Sequence, residues 1–140
     1  MRKLSAVAFV LATAACVQTN AAVMDITTHR APICPDGVRV FSDTSRIGHP
    51  YQEVALLNSK GESGMTSEAG MIKNQRKKAA ALGANGIVLG GFREPGAGAK
   101  IVGAVLGVGA ERKGSAMAIF IPGDSSRVQA ACDGVTNRSN

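Results

Sequence analysis

The chain has 140 residues, 45% hydrophobic and 19% charged, which suits one ordinary globular domain and excludes a wholly disordered chain. Its net charge is +6, but with no Trp, one Tyr and four Phe it lacks the aromatic platform of a nucleic-acid binder. Two His and three Cys offer little for a metal cage, and 17 Gly point to turns and strand ends rather than a helical bundle.

Met1-Arg2-Lys3 is a short basic start, and Leu4 to Ala15 carries no charge. That is the length of a signal-peptide apolar region and too short to span ~30 Å of hydrocarbon. The run Leu11-Ala12-Thr13-Ala14-Ala15-Cys16 is similar to a bacterial lipobox, which implies a leader over 1–15 and a lipidated Cys16. Thr13 stands where that pattern favours Leu. Ordinary cleavage after Ala21, in Thr19-Asn20-Ala21, is the alternative. Val17 is not acidic, and among lipoproteins that implies sorting to the outer membrane, facing the periplasm.

With Cys16 acylated, Cys34 and Cys132 remain. Export places them in an oxidising compartment, so they are expected to form a disulfide between the two ends of the domain. No recognised ligand spacing joins them to His29 or His49, so no metal or other cofactor is expected.

Residues 16–35 are polar and broken by Pro32 and Pro35, and read as anchor and tether. The folded domain is expected over 36–122. Val38 to Phe41 is a short strand, 42–50 a loop, and Tyr51 to Asn58 a second strand whose Val-Ala-Leu-Leu centre suits burial on both faces. A helix follows, capped by Thr66 or Ser67, with Glu68 in its first turn. Met71, Ile72, Gln75, Ala79 and Leu82 share one face, and Gly83 ends the helix. Lys73, Arg76 and Lys77 form a basic interaction surface for acidic lipid or peptidoglycan, or else a solvated face with favourable dipole chemistry.

Gly86 to Phe92 is a nearly unbroken apolar run and suits a strand covered on both sides. Ala97 to Ala110 is rich in Gly, Ala and Val, with Lys100 its only charge. It reads as a short buried helix or a strand, and Gly103 and Gly107 give it a small-residue face for close packing. Glu111 to Gly114 is a polar turn, Ala116 to Ile121 the last strand, and 123–140 a polar tail. The sum is an α+β fold, a three- or four-stranded sheet with one amphipathic helix on it.

Catalytic templates find no match. Gly96-Ala97-Gly98-Ala99-Lys100 is followed by Ile101, which fits neither the phosphate-loop nor the dinucleotide pattern. Glu62 and Glu68 flank a turn and a helix start, and neither His lies near a Ser nucleophile signature. An enzyme is not expected.

The helix end Ala79-Ala80-Ala81-Leu82-Gly83-Ala84-Asn85-Gly86-Ile87-Val88, with Val38-Arg39-Val40-Phe41 and Gly48-His49-Pro50-Tyr51 before it, resembles the Rcs envelope-stress sensor lipoproteins. It is also similar to the small α+β domains labelled heavy-metal-binding. The resemblance covers about 36–122 and implies an exported domain hung from a lipidated Cys and working through protein contacts. Those sensors have two disulfides and a long Pro-rich tether; this chain can form one disulfide and has a short tether. The metal label has no ligand cluster to rest on here.

The expectation is therefore a non-enzymatic envelope lipoprotein, membrane-bound through Cys16, that binds an envelope protein or peptidoglycan. A soluble periplasmic small-ligand or metal-binding module is the alternative, and self-association through the glycine-rich insert is a third reading.

Overall fold

A computed structural model describes residues 17–106 and 109–136. The leader expected over 1–15, Cys16, Gly107 and the last residues of the expected tail lie outside the described residues. Among the described residues the fold is α+β, as expected, with one mixed sheet of five strands where three or four were expected, and three α-helices where one packed helix was expected. The strands are β1 (Gln18–Val23), β2 (Arg39–Phe41), β3 (Gln52–Glu62), β4 (Gly86–Arg93) and β5 (Glu111–Phe120). Their spatial order is β1-β3-β5-β4-β2. β2 pairs parallel with β4 and every other neighbour is antiparallel. The helices are α1 (Glu68–Ala81), α2 (Ala97–Leu106) and α3 (Ser125–Thr136).

α1 forms as its sequence dictates. Ser67 caps it by accepting from the Gly70 amide at 3.0 Å, with Glu68 in the first turn. Met71, Gln75 and Ala79 are buried, and Ile72 and Leu82 half-buried. This face and Ala80 lie over Ala55, Leu57, Ile87, Ala116 and Ala118 of the sheet. Alanines on both sides of that contact allow close approach. Gln75 is the exception in chemistry: it is fully buried, and neither of its amide atoms has a hydrogen-bond partner among the described residues. After α1 the chain turns at Gly83, whose φ is +70°. A Cβ there would stand 2.4 Å from Arg30 Cβ and 2.8 Å from the Ala31 carbonyl oxygen, so only glycine fits.

The domain reaches further in both directions than 36–122. Residues 17–35 are not a tether, because β1 is an edge strand paired with β3 from Gln18↔Lys60 to Val23↔Ala55. Its polar residues suit an exposed edge. The chain then stays docked. Met24 N–H donates to the Val54 carbonyl at 2.9 Å and Ile33 N–H to the Ala80 carbonyl at 3.0 Å. Arg30 lies over the Phe120 ring at 4.9 Å and donates to Gln52 Oε1 at 2.7 Å. Hydrogen bonds from Thr27 and then Thr28 hold the Asp25 carboxyl well below the usual carboxylate range.

At the other end, residues 125–136 are helix α3 rather than polar tail. The expected disulfide Cys34–Cys132 closes a separation of 98 residues and pins α3 beside the short turn Pro35–Gly37. Val128, Ala131, Cys132 and Val135 share one helical face, and Val128 and Cys132 lie against Gly37, so a short stripe of small apolar residues and the disulfide together hold the helix.

Three further expectations change. Glu111 to Gly114 belongs to β5 and is not a turn. Leu56 is 44% exposed and not buried, because the second face of the sheet is only partly covered. There the loop 42–51 brings Ile47 and Tyr51 over Phe41, Val88, Ile119 and Ile121 and stops short of the rest. Residues 97–106 are a helix, but an exposed one. α2 is inserted between β4 and β5, and its Ile101, Val102, Val105 and Leu106 are exposed among the described residues.

One corner joins these parts. The Asn85 side chain accepts from Ile121 N–H at 2.7 Å and donates to the Ile121 carbonyl at 2.9 Å. Its backbone N–H donates to the Ile119 carbonyl at 3.1 Å, and its carbonyl accepts from Arg39 N–H at 3.0 Å. Arg127 of α3 donates to the Gly37 carbonyl at 2.9 Å and to the Asn85 carbonyl at 3.4 Å.

Two predictions follow from these contacts. Asn85→Ala leaves both backbone groups of Ile121 unpaired in a buried place and should cost about 2–4 kcal/mol in denaturant unfolding. Cys34→Ser or Cys132→Ser should cost roughly 4–5 kcal/mol on the chain-entropy account, read as a lower unfolding midpoint and a shift in non-reducing mobility.

Candidate functional site

The uncovered half of the sheet's second face is a groove of about 580 Å³. Side chains alternate across a strand, so the register places them in rows. Moving along β5 on this face, Ile119 and Met117 lie under the covering loop, and Ser115, Lys113 and Glu111 lie beyond it. Ser115 is flanked by Asn58 of β3 and Gly91 of β4, with Asn20 of β1 beyond Asn58. Gly91 forms a bulge at φ +107°, and the strand resumes its alternation at Phe92.

The next row is the unusual one. Lys60, Lys113 and Arg93 stand directly opposite one another on β3, β5 and β4. Like charges in cross-strand register are destabilising. Lys60 is relieved by Glu111 at 3.8 Å. Arg93 and Lys113 make no ion pair among the described residues. With Asn20, Asn58 and Ser115 inside this row, the groove offers cations, amides and a hydroxyl, with Glu111 at its rim. That chemistry receives an anion. It holds no paired nucleophile and base.

The basic patch expected on α1 is brought together, but its members differ. Lys73, Arg76 and Lys77 line a second groove of about 470 Å³ with Pro35, Asp36 and Ile72. Lys73 and Lys77 are exposed. Arg76 is partly buried, pairs with Asp36 at 3.5 Å and donates to the Val38 carbonyl at 3.1 Å. It therefore fastens α1 to the Pro35–Val38 turn. His29 and His49 are exposed on separate segments. Among the described residues no group of three His, Cys, Asp or Glu is placed to hold a metal ion, and no helix is long and apolar enough to cross a membrane.

The row of cations was not foreseen from the sequence. Its signal is the alternation of Asn58 and Lys60 on one strand and Lys113 and Ser115 on another. Only the register between strands makes it one feature.

No protein-family model and no curated protein matches the sequence. Among solved structures, the chain is similar to the Francisella virulence factor FvfA, at 16% identity and a TM-score of 0.52, over 74% of this chain and 97% of that one. This likeness extends to the fold alone.

Lys113→Glu places an anion between Lys60 and Arg93 on an exposed surface. It should raise stability by about 0.2–1 kcal/mol in thermal or denaturant unfolding. A loss of stability would mean that the row is not strained by its own charge.

Proposed function

We propose that this chain is a non-enzymatic bacterial envelope lipoprotein, moored through an acylated Cys16, that binds another envelope component on the open face of its sheet. The observation that carries the reading is the position of β1. Cleavage after Ala21 would remove Gln18 to Ala21, four of the six residues of that strand. It would take Asn20 from the groove and break the 2.8 Å hydrogen bond between Thr19 and Ser59. Cleavage before Cys16 leaves the sheet whole. The Cys34–Cys132 bond supports export, because such bonds persist in oxidising compartments.

In this reading the anchor is short. One residue, Val17, separates Cys16 from β1, so the domain sits against its membrane and does not reach far from it. That differs from the long-tethered sensors that the helix-end motif resembles, and it favours a partner near the bilayer surface. The row of cations gives that partner its class, an anionic one. A signalling role of the Rcs kind has no support in the groove itself. The non-acidic Val17 supports outer-membrane sorting.

Metabolic labelling with palmitate should mark the wild type and leave Cys16→Ser unmarked. The mature protein should have Cys16 as its first residue. An unlabelled mature chain beginning at Ala22 would replace this reading with a soluble periplasmic module.

A further inference from the structure

We propose that α2 is a membrane seat. Its apolar face lies in the boundary between headgroups and acyl chains of the bilayer that holds the Cys16 anchor. This rests on the acylation reading above and deepens it by naming the anionic partner as lipid.

The first argument is exposure. Ile101, Val102, Val105 and Leu106 are 64%, 56%, 80% and 68% exposed. At 100° per residue they fall within an arc of about 140°, while Lys100 and Ala104 lie on the opposite side and Ala97 and Ala99 at its edges. A helix of ten residues is about 15 Å long and cannot cross ~30 Å of hydrocarbon. A short helix with one large-residue apolar face suits the plane of an interface.

The second argument is where the described chain begins. Gln18 pairs with Lys60, Lys60 with Lys113, and Lys113 with Arg93. The start of β1 and the end of β4 therefore share one row, about 14 Å apart at the usual strand spacing. α2 leaves β4 four residues after Arg93 and returns to β5 at Glu111. The start of β1, which Cys16 precedes by two positions in sequence, and the base of α2 thus lie at the same end of the sheet, and in the acylation reading a bilayer holding the anchor faces α2.

The third argument is charge. Lys60, Arg93, Lys100, Arg112 and Lys113 gather at this end with Glu62, Glu94 and Glu111. Glu94 is already paired with Lys100, at 3.5 Å, and with Arg112. Glu111 is paired with Lys60. Arg93 and Lys113 remain to meet headgroup phosphates, which favours anionic lipid.

The test uses the acylated full chain with Val105→Cys. This is its single free thiol, because Cys16 carries lipid and Cys34 is bonded to Cys132. The thiol is labelled with a nitrobenzoxadiazole dye and the protein reconstituted into phosphatidylcholine vesicles with and without phosphatidylglycerol. The dye should shift to shorter wavelength, be quenched by nitroxides on the acyl chains and be shielded from aqueous iodide, more so with phosphatidylglycerol. A dye on Ser126→Cys, exposed on α3 beyond the opposite end of β5, should stay open to iodide. Adding Leu106→Asp should return the 105 dye to water without altering the melting curve. A 105 dye as open to iodide as the 126 dye, on protein whose Cys16 is acylated by mass, overturns the seat and leaves the anchor. Shielding that grows with protein concentration in the absence of vesicles overturns it in favour of a second copy. Vesicle-dependent shielding on protein without the acyl chain keeps the seat and removes the anchor.

Discussion

Five hydrogen bonds converge on Asn85 at the corner between α1 and β4, and the rest of the structure is referred to them. Through its side chain the residue acts as a short strand partner for Ile121. Through its backbone it reaches Ile119, Arg39 and Arg127. β2, β5 and α3, distant in sequence, are thereby set against one point. A side-chain amide suits the place because it donates and accepts in one plane, as a peptide group does. The small residues around it have the same origin: Gly83 takes a positive φ against Arg30, Ala84 is buried, and Gly86 lies against Phe41 and Ile119. The Gly-Ala-Asn motif that carries the family resemblance is therefore a constraint on folding, and its presence says little about what the domain binds.

The second constraint closes the ends. The disulfide, Arg127 on the Gly37 carbonyl and Arg76 on Asp36 and the Val38 carbonyl all act on the turn Pro35–Val38. With α1 over one face, the loop 42–51 over half of the other and α3 beside that turn, the remaining half-face stays open. Among the described residues the groove is left without a covering element. Inside, the core holds Gln75, whose side-chain amide has no partner among the described residues. An unpaired buried amide costs stability, so this core is not tuned for stability alone.

What could be read in advance follows physical lines. α1 was legible from Ser67, Glu68, its apolar face and Gly83, all of which act within a few residues of one another. β4 was legible from its apolar run, and the disulfide from the cysteine count and the expectation of export. β1 was not, because Gln18 to Val23 has no apolar alternation, and an edge strand beside solvent needs none. α3 was missed although Val128, Ala131, Cys132 and Val135 recur at helical spacing, because the stripe is short and its side chains are small. The start of β5 was hidden for the reason that makes it interesting: Glu111, Lys113 and Ser115 alternate on a solvated face and look like a turn until their partners are known. The composition of α2 was legible, but its burial was not, because composition cannot report whether an insert is covered. The row of Lys60, Lys113 and Arg93 depends on register, which no single segment contains.

Two features at one end of the sheet run against stability in water. Three aligned cations repel one another, and four large apolar side chains on α2 stay wet. Each ~25 Å² of apolar surface left in water forgoes roughly 0.6 kcal/mol. Either feature alone is common on a protein surface. Together they are complementary to one kind of boundary, apolar on one side and anionic at the edge. The same end receives the chain from Cys16 with one residue to spare, so an acylated domain would have little freedom to present any other side. The orientation would then come from strand order: β1 pairs with β3, β3 with β5 and β5 with β4, and this sequence of pairings places the first described residues and the base of α2 in a single row.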